Sequence, residues 1–456
     1  MLKQIKKVVL SVAVGCMVSQ TVKAADLVEV YQQAVMNNYN MKSNYATAEA
    51  SNMGKYVSLG ALFPNLTLTG SMTSNYIRGR SFTPATDSTP EVLVNAQGNY
   101  QQRSYQLNLT QVLFNYSAYK TYKSSVQTAL QGQATYNYQR QQLILNVAQS
   151  YYNILLAEDQ LAYNTANVKA LKSALDQAQA RFRVGVSTDV DVKQADASYS
   201  TGIANQVTAN KNLDNAYYSL FQLTGKVYKN LAPLKPNVQY KDIQPQDINY
   251  WVKQAQKNNQ NYWSQKYQEE ASYESLQAAH GAFMPTVSLI GQYSKSSNFG
   301  DAAAYTLAGL SQNTQGGYIG VLFTWNILNG GTDFATDVQA ARTYEARQFT
   351  SLQSLRDLTA QTRQDYLNIQ ALVSQVKSLE QSVNASELAY KQFMEQYKVG
   401  TSTITDVLDQ LQSLLNAQSQ LAQAKYNYFV GILQLELDAG TISDGDINRL
   451  NRDLQS

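Results

Sequence analysis

A chain of 456 residues in which 44% are hydrophobic and only 15% charged falls well short of the roughly 25% charged residues of ordinary globular domains. Its 36 basic and 33 acidic side chains give a formal net charge of +3, but Lys3, Lys6, Lys7 and Lys23 all lie in the first 24 residues, which hold no acid. The remaining 32 bases (36 − 4) against 33 acids exclude the basic balance that nucleic-acid binding draws on, so no nucleic-acid partner is expected.

Residues 1–24 have the form of a secretory signal: a basic start, a short apolar run from Val8 to Val18, and Val22-Lys23-Ala24 before a cut. The run is far shorter than the roughly 20 apolar residues of a spanning helix. Cys16 is the chain's one cysteine and falls inside this segment, so residues 25–456 offer no disulfide and no thiolate metal site. Ala13-Val14-Gly15-Cys16 faintly resembles a lipoprotein cleavage box, although Leu is usual at its first position, and lipidation of Cys16 is the alternative to cleavage after Ala24.

The mature chain is a tandem duplication. Tyr151, Asn153, Val184, Gly185, Thr188 and Asp191 recur as Tyr366, Asn368, Val399, Gly400, Thr403 and Asp406, each 215 positions on (366 − 151). An earlier block, including Asn37, Asn38, Glu49, Pro64 and Gly70, recurs 221 positions on (285 − 64) as Asn258, Asn259, Glu270, Pro285 and Gly291. The two offsets are reconciled between Gly70 and Tyr151, where Ser81–Gln102 is the loop candidate, since length changes cost least in loops. One repeat then spans about 26–225 and the other about 247–440.

Within each repeat the period switches from helical to strand-like and back. Helices are expected over about 26–63, 116–225, 247–283 and 332–440, and strands over about 65–115 and 286–328. Val147, Ile154, Leu161, Val168, Leu175 and Phe182 follow at intervals of seven, as do Ile369, Val376, Val383, Tyr390 and Tyr397; this is a left-handed coiled-coil repeat. Between Lys120 and Phe182 there is no Pro and one Gly, enough for a rod of roughly 95 Å. The strand regions alternate, with Leu66, Leu68, Met72 and Tyr76 on one face and Thr67, Thr69, Ser71 and Thr73 on the other, and Ile319, Val321, Phe323 and Trp325 repeating the pattern. Such segments suit membrane β-strands as well as an ordinary sheet packed on one side. Four strands cannot close a barrel, and open edges are not tolerated in lipid, so a membrane reading requires oligomers: eight strands in a dimer, twelve in a trimer. Residues 226–246 and 441–456 interrupt the repeat and are expected to form an equatorial collar.

Leu27-Val28-Glu29-Val30-Tyr31-Gln32-Gln33-Ala34, Phe63-Pro64-Asn65-Leu66, Met284-Pro285-Thr286-Val287, the two Val-Gly turns, Asn212-Leu213-Asp214-Asn215-Ala216 and Ala424-Lys425-Tyr426-Asn427-Tyr428 together resemble the TolC family of outer-membrane channels over essentially the whole mature chain. The resemblance implies a mixed helical and membrane-β fold, in which a homotrimer builds a twelve-stranded outer-membrane β-barrel, four strands per chain, continuing into a long periplasmic α-helical coiled-coil barrel. It also implies a passive duct for drugs or for proteins in type I secretion. The partners would be outer-membrane lipid, a periplasmic adaptor (membrane fusion) protein and an inner-membrane transporter of RND, ABC or MFS type, with opening by an iris-like movement of the helix tips.

Site residues follow from the same resemblance. Asp406 and Asp409, at i and i+3 on one helical face, match the family's entrance aspartates, which form a cation-binding ring in a trimer; the plainer reading is a solvated face. Asp191 and Tyr397 match two members of the family's gate latch, whose arginine position is Ser402 here. Val184-Gly185-Val186 and Val399-Gly400-Thr401 match the tips that meet the adaptor, and read by themselves as helix-ending turns followed by Thr N-caps. His280 is the only histidine, and no nucleophile–base set or phosphate-binding glycine loop is present, so no enzyme activity, metal or cofactor is expected. The rival reading is a periplasmic coiled-coil adaptor or scaffold without a channel, which would not need four amphipathic strands; an exported hydrolase is a distant third.

Overall fold

The computed structural model describes residues 24–83 and 92–455. The signal-peptide reading, apart from Ala24, and the question of Cys16 therefore lie outside the described residues.

Two helical rods set the dimensions. Helix α3 (Tyr116–Arg183) and helix α8 (Thr332–Val399) each run 68 residues, about 100 Å at 1.5 Å per residue. Shorter helices lie beside them: α1 (Leu27–Asn37), α2 (Tyr39–Gly60) and α4 (Asp189–Thr224) in the first repeat, α5 (Ile248–Asn258), α6 (Gln260–His280) and α9 (Ile404–Asp438) in the second. A single 3₁₀ turn, Gly281–Phe283, leads from α6 into the strands.

The repeated asparagines have a structural job. Asn38 closes α1 with its N–H on Ala34 O, opens α2 by accepting from Met41 N, and points its amide at Leu223 O near the end of α4. Asn259 does the same between α5 and α6, with Ala255 O, Tyr262 N and, at 2.9 Å, Asp438 O near the end of α9. Both are buried. A short polar side chain that satisfies the orphan groups of two helix ends at once thus divides each of the expected helices 26–63 and 247–283 in two.

Strands β1 (Asn65–Thr83), β2 (Val92–Phe114), β3 (Thr286–Gly300) and β4 (Asn313–Thr324) form an antiparallel meander in the order β1-β2-β3-β4. The register aligns Leu66 with Leu109, Leu109 with Gly291, and Gly291 with Ile319, so the alternating apolar residues join into one continuous face. That face is bare: Leu68 is 71% exposed and Ile319 72%. The loop candidate Ser81–Gln102 is corrected. β1 continues to Thr83 and β2 begins at Val92, because ladder hydrogen bonds link main-chain groups and continue through a stretch whose side chains alternate poorly.

The β3–β4 connection holds a short helix, α7 (Ala302–Leu307), which no sequence feature had indicated. It lies on the opposite, polar face of β1 and β2, where Tyr100 meets Tyr305 edge to face at 6.5 Å. Gly98 lies beneath it, where a Cβ would displace the Asp301 side chain.

The largest core sits at mid-height. The middle of α3 packs with α1, the second half of α9, the irregular segment 226–247 and the C-terminal helix α10 (Asp444–Asn451), around the buried Tyr151 and Tyr152. A second, smaller core lies at the far end of the helices, where Leu171, Leu175 and Ala178 of α3 meet Ile404, Val407 and Leu411 of α9, with Tyr397 of α8. Among the described residues no helix is long and apolar enough to cross a membrane.

Candidate functional site: the helix tips

The two Val-Gly turns form the free end of the helical rods, opposite the sheet. Gly185 has φ +77° and Gly400 φ +86°, the left-handed conformation that ends a helix at low cost only for glycine. Around them the apolar side chains are uncovered: Val184 is 73% exposed and Val399 76%, with Val186 and Val190 also exposed. A Cβ at Gly185 would meet nothing.

Each turn re-enters a helix through a capping box. Asp191 N donates to Thr188 Oγ1 at 3.2 Å, and Asp191 Oδ2 accepts from Thr188 N at 2.9 Å and Ser187 Oγ at 2.8 Å. In the second repeat, Asp406 Oδ2 accepts from Thr403 N at 2.8 Å, Thr403 Oγ1 at 2.6 Å and Ser402 Oγ at 3.0 Å. These donors favour the charged carboxylates. The Thr188 N–H and Ser187 hydroxyl hold Asp191 below its ordinary pKa, with a contribution from Arg181; the Thr403 hydroxyl, then its N–H and Ser402, do so for Asp406.

Asp409 stands one turn further along α9, exposed, and lines a hollow shared with Asn167, Gln194 and Gly202. Gln194 is the first-repeat counterpart of Asp409 (409 − 215), so the duplicated positions line the same hollow and differ in charge. Of the latch positions, Ser402 and Asp191 are engaged in their own turns, and the buried Tyr397 hydroxyl has no partner among the described residues.

Sequence reasoning missed Arg181. From the last turn of α3 its Nη1 reaches across to α8, donating to Tyr397 O at 2.8 Å and Lys398 O at 3.3 Å. Its guanidinium lies over the Tyr397 ring, 4.9 Å from the centroid. The one available signal was the departure from the repeat: Gln396 occupies the matching position of the second copy (181 + 215).

Among the described residues there is no group of three or more His, Cys, Asp or Glu side chains suited to a metal. His280, at the end of α6 beside the sheet, has Nε2 3.1 Å from Asp337 Oδ1.

The chain combines long paired rods, duplicated tip turns and a four-stranded sheet with a bare apolar face. The family model described as outer membrane efflux protein matches residues 30–226 and 251–440, and the chain belongs to that family. Its two matched stretches correspond to the two repeats. The outer membrane protein TolC of Escherichia coli is 31% identical over 443 residues, covering 95% of this chain and 85% of that protein. The alkaline protease secretion protein AprF of Pseudomonas aeruginosa is 24% identical over 426 residues, covering 93% and 86%. The Campylobacter jejuni CmeC outer membrane channel superposes with a TM-score of 0.75 at 20% identity, covering 94% of this chain and 90% of that one, a likeness of fold. The protein is thus an outer-membrane protein with a large periplasmic part.

Proposed function

We infer that the chain is the outer-membrane exit duct of an efflux or type I secretion system, working as a homotrimer. The observation that carries the reading is the sheet. It has a continuous apolar face and two strands, β1 and β4, each paired on one side only among the described residues. Lipid does not tolerate free strand edges, so copies must close on one another, and three give a twelve-stranded barrel that the helices extend through the periplasm. The mid-height packing of 226–247 and α10 would form the collar of that tube.

Opening takes place at the tips. Asp406 and Asp409 of three copies form a carboxylate ring that favours cations, and Asp191, Tyr397 and Ser402 line the closed contact. Val184, Gly185, Val186, Val399, Gly400 and Thr401 present the small, apolar surface on which a periplasmic adaptor docks, and the inner-membrane transporter, of RND, ABC or MFS type, supplies the energy. AprF, named for protease secretion, favours protein cargo as one use of the duct.

The test is planar-bilayer conductance of the purified oligomer with a trivalent cation added on the periplasmic side. Discrete channels are expected, blocked by the cation, with block lost in the Asp406→Ala/Asp409→Ala double variant. Channels that the cation never blocks would remove the ring and keep the duct; membrane-inserted protein without channels would favour the scaffold reading. For the docking surface, Gly185→Leu with Gly400→Leu is expected to abolish chemical crosslinking to the adaptor while leaving the oligomer intact. Both glycines sit at positive φ, so the substitution also strains the turns, and retained crosslinking would count against the tips.

A further inference from the structure

We propose that Arg181 is a positioning residue that holds the tip closed from within a single protomer. The inference rests on the gated-duct reading and adds to it a component outside the latch positions Asp191, Tyr397 and Ser402.

Three observations at one place carry it. The last carbonyls of a helix lack the usual partner one turn on, and the Arg181 guanidinium takes Lys398 O and shares Tyr397 O with the Gly400 N–H, across the repeat boundary. The same guanidinium covers the face of the Tyr397 ring, so one side chain grips both the backbone and the side chain of the last turn of α8. Burial raises the pKa of the Tyr397 hydroxyl, opposed by the positive charge of Arg181, which also adds the smallest of the contributions that hold Asp191 charged. Arg181 and Tyr397 thus join the end of α3 to the end of α8.

The space around the grip is matched to it. Gly400 follows the last turn of α8, and Arg181 Nη2 lies only 3.5 Å from where a Cβ at Gly400 would sit. The Tyr397 side chain is buried in the tip core with Leu175, Ala178 and Ile404, so its ring cannot swing away without uncovering that core. An outward movement of α8 and α9 relative to α3 and α4 must break the two charge-assisted hydrogen bonds and lift the ring off the guanidinium. The contact needs the ring and the backbone of Tyr397, and the Tyr397 hydroxyl takes no part in it.

Closed-state conductance in bilayers separates these roles. Arg181→Ala is expected to raise the population of the open state about tenfold, the scale of one charge-assisted hydrogen bond, and Tyr397→Ala to do the same. Tyr397→Phe should leave conductance at the wild-type level, because the ring face is retained. Adding Ser402→Arg to Arg181→Ala should restore the low conductance, whereas a residue that merely supports folding would not be rescued by a charge supplied from the turn between α8 and α9. The thermal dissociation midpoint of Arg181→Ala and of Tyr397→Phe, unchanged from wild type, excludes general unfolding. Wild-type channels with an equally tight Arg181→Ala variant would overturn the tether and leave the duct standing. A leaky Tyr397→Phe would also overturn it, by placing the latch on the hydroxyl. Failure of the wild-type protein to form channels would overturn the duct reading itself.

Discussion

Replacing Tyr152 by alanine is expected to destabilise the protein by about 3–5 kcal/mol, the range for deleting a large aromatic side chain from a packed core. Tyr152 is buried at the centre of the mid-height core, stacked on Phe429 with ring centroids 5.2 Å apart and planes 17° apart. Tyr151 meets it edge to face at 6.0 Å and Tyr426 lies tilted at the same distance. The cavity would open where α3, α9 and α10 converge, far from both the tips and the sheet. The conservative substitution should have the opposite sign. The Tyr152 hydroxyl is buried without a partner among the described residues, and an unsatisfied buried polar group costs about 1–3 kcal/mol, so Tyr152→Phe should stabilise the fold. Its neighbour gives the control: Tyr151 Oη donates to Ala232 O at 2.8 Å, with Ala25 O at 3.2 Å, so Tyr151→Phe should cost about 1 kcal/mol. The midpoint of thermal unfolding in detergent reads all three, and a destabilised Tyr152→Phe would show that its hydroxyl is satisfied in the assembly.

The second large effect is a dependence on pH built into the contact between α8 and α9. Asp438 is buried, its carboxyl faces that of Asp365, and burial first, then Asp365, push its pKa well above the ordinary carboxylate range. The remaining oxygens are already engaged: Gln434 Nε2 donates to Asp438 Oδ1 at 3.3 Å and Gln361 Nε2 to Asp365 Oδ1 at 3.0 Å. The inner Oδ2 atoms have no other donor among the described residues. Tyr138 of α3 is the other titratable group that feels Asp438, and it too is raised by burial. Two carboxyls in this arrangement share a proton. The folded state therefore binds more protons than the unfolded chain once pH exceeds the ordinary aspartate value of about 4, so stability falls as pH rises, by up to about 1.4 kcal/mol per pH unit until the folded pKa is passed. Asp438→Asn keeps a donor toward Asp365 and removes the titration. Its unfolding midpoint is expected to rise above wild type at pH 8 and to differ little at pH 5. A variant less stable than wild type at pH 8 would mean that Asp438 is held charged.

Glu436, two residues earlier, is the contrasting case. Burial raises its pKa to about 7, opposed by Arg449, whose Nη2 lies 2.7 and 2.8 Å from its two carboxylate oxygens. Here an opposite charge is at hand, and the pair ties α9 to α10 at the collar. Asp438 has no such partner among the described residues, which is why the proton does the pairing.

The class of the protein was legible in its sequence because its main features are periodic or local. Heptads, strand alternation and the two repeat offsets each depend on spacing alone, and rods of about 100 Å exclude a compact domain whatever their partners. The capping boxes Thr188–Asp191 and Thr403–Asp406 span three residues and can be read for the same reason. The extent of β1 and β2 was misjudged within Ser81–Gln102, where Asn95, Gly98 and Asn99 blur the alternation, since the ladder pairs backbone with backbone and persists regardless.

What the tertiary structure alone decided are the meetings between side chains far apart in the chain. Arg181 reaches residues 216 and 217 positions away, Asp438 faces Asp365, and α7 folds back over Gly98. Each depends on the rotation and axial register of one packed element against another. A period in the sequence specifies which face of a helix is apolar and leaves open which residue of the neighbouring helix that face will meet; the packing of whole cores, at the tip and at mid-height, settles the register and brings the functional groups together.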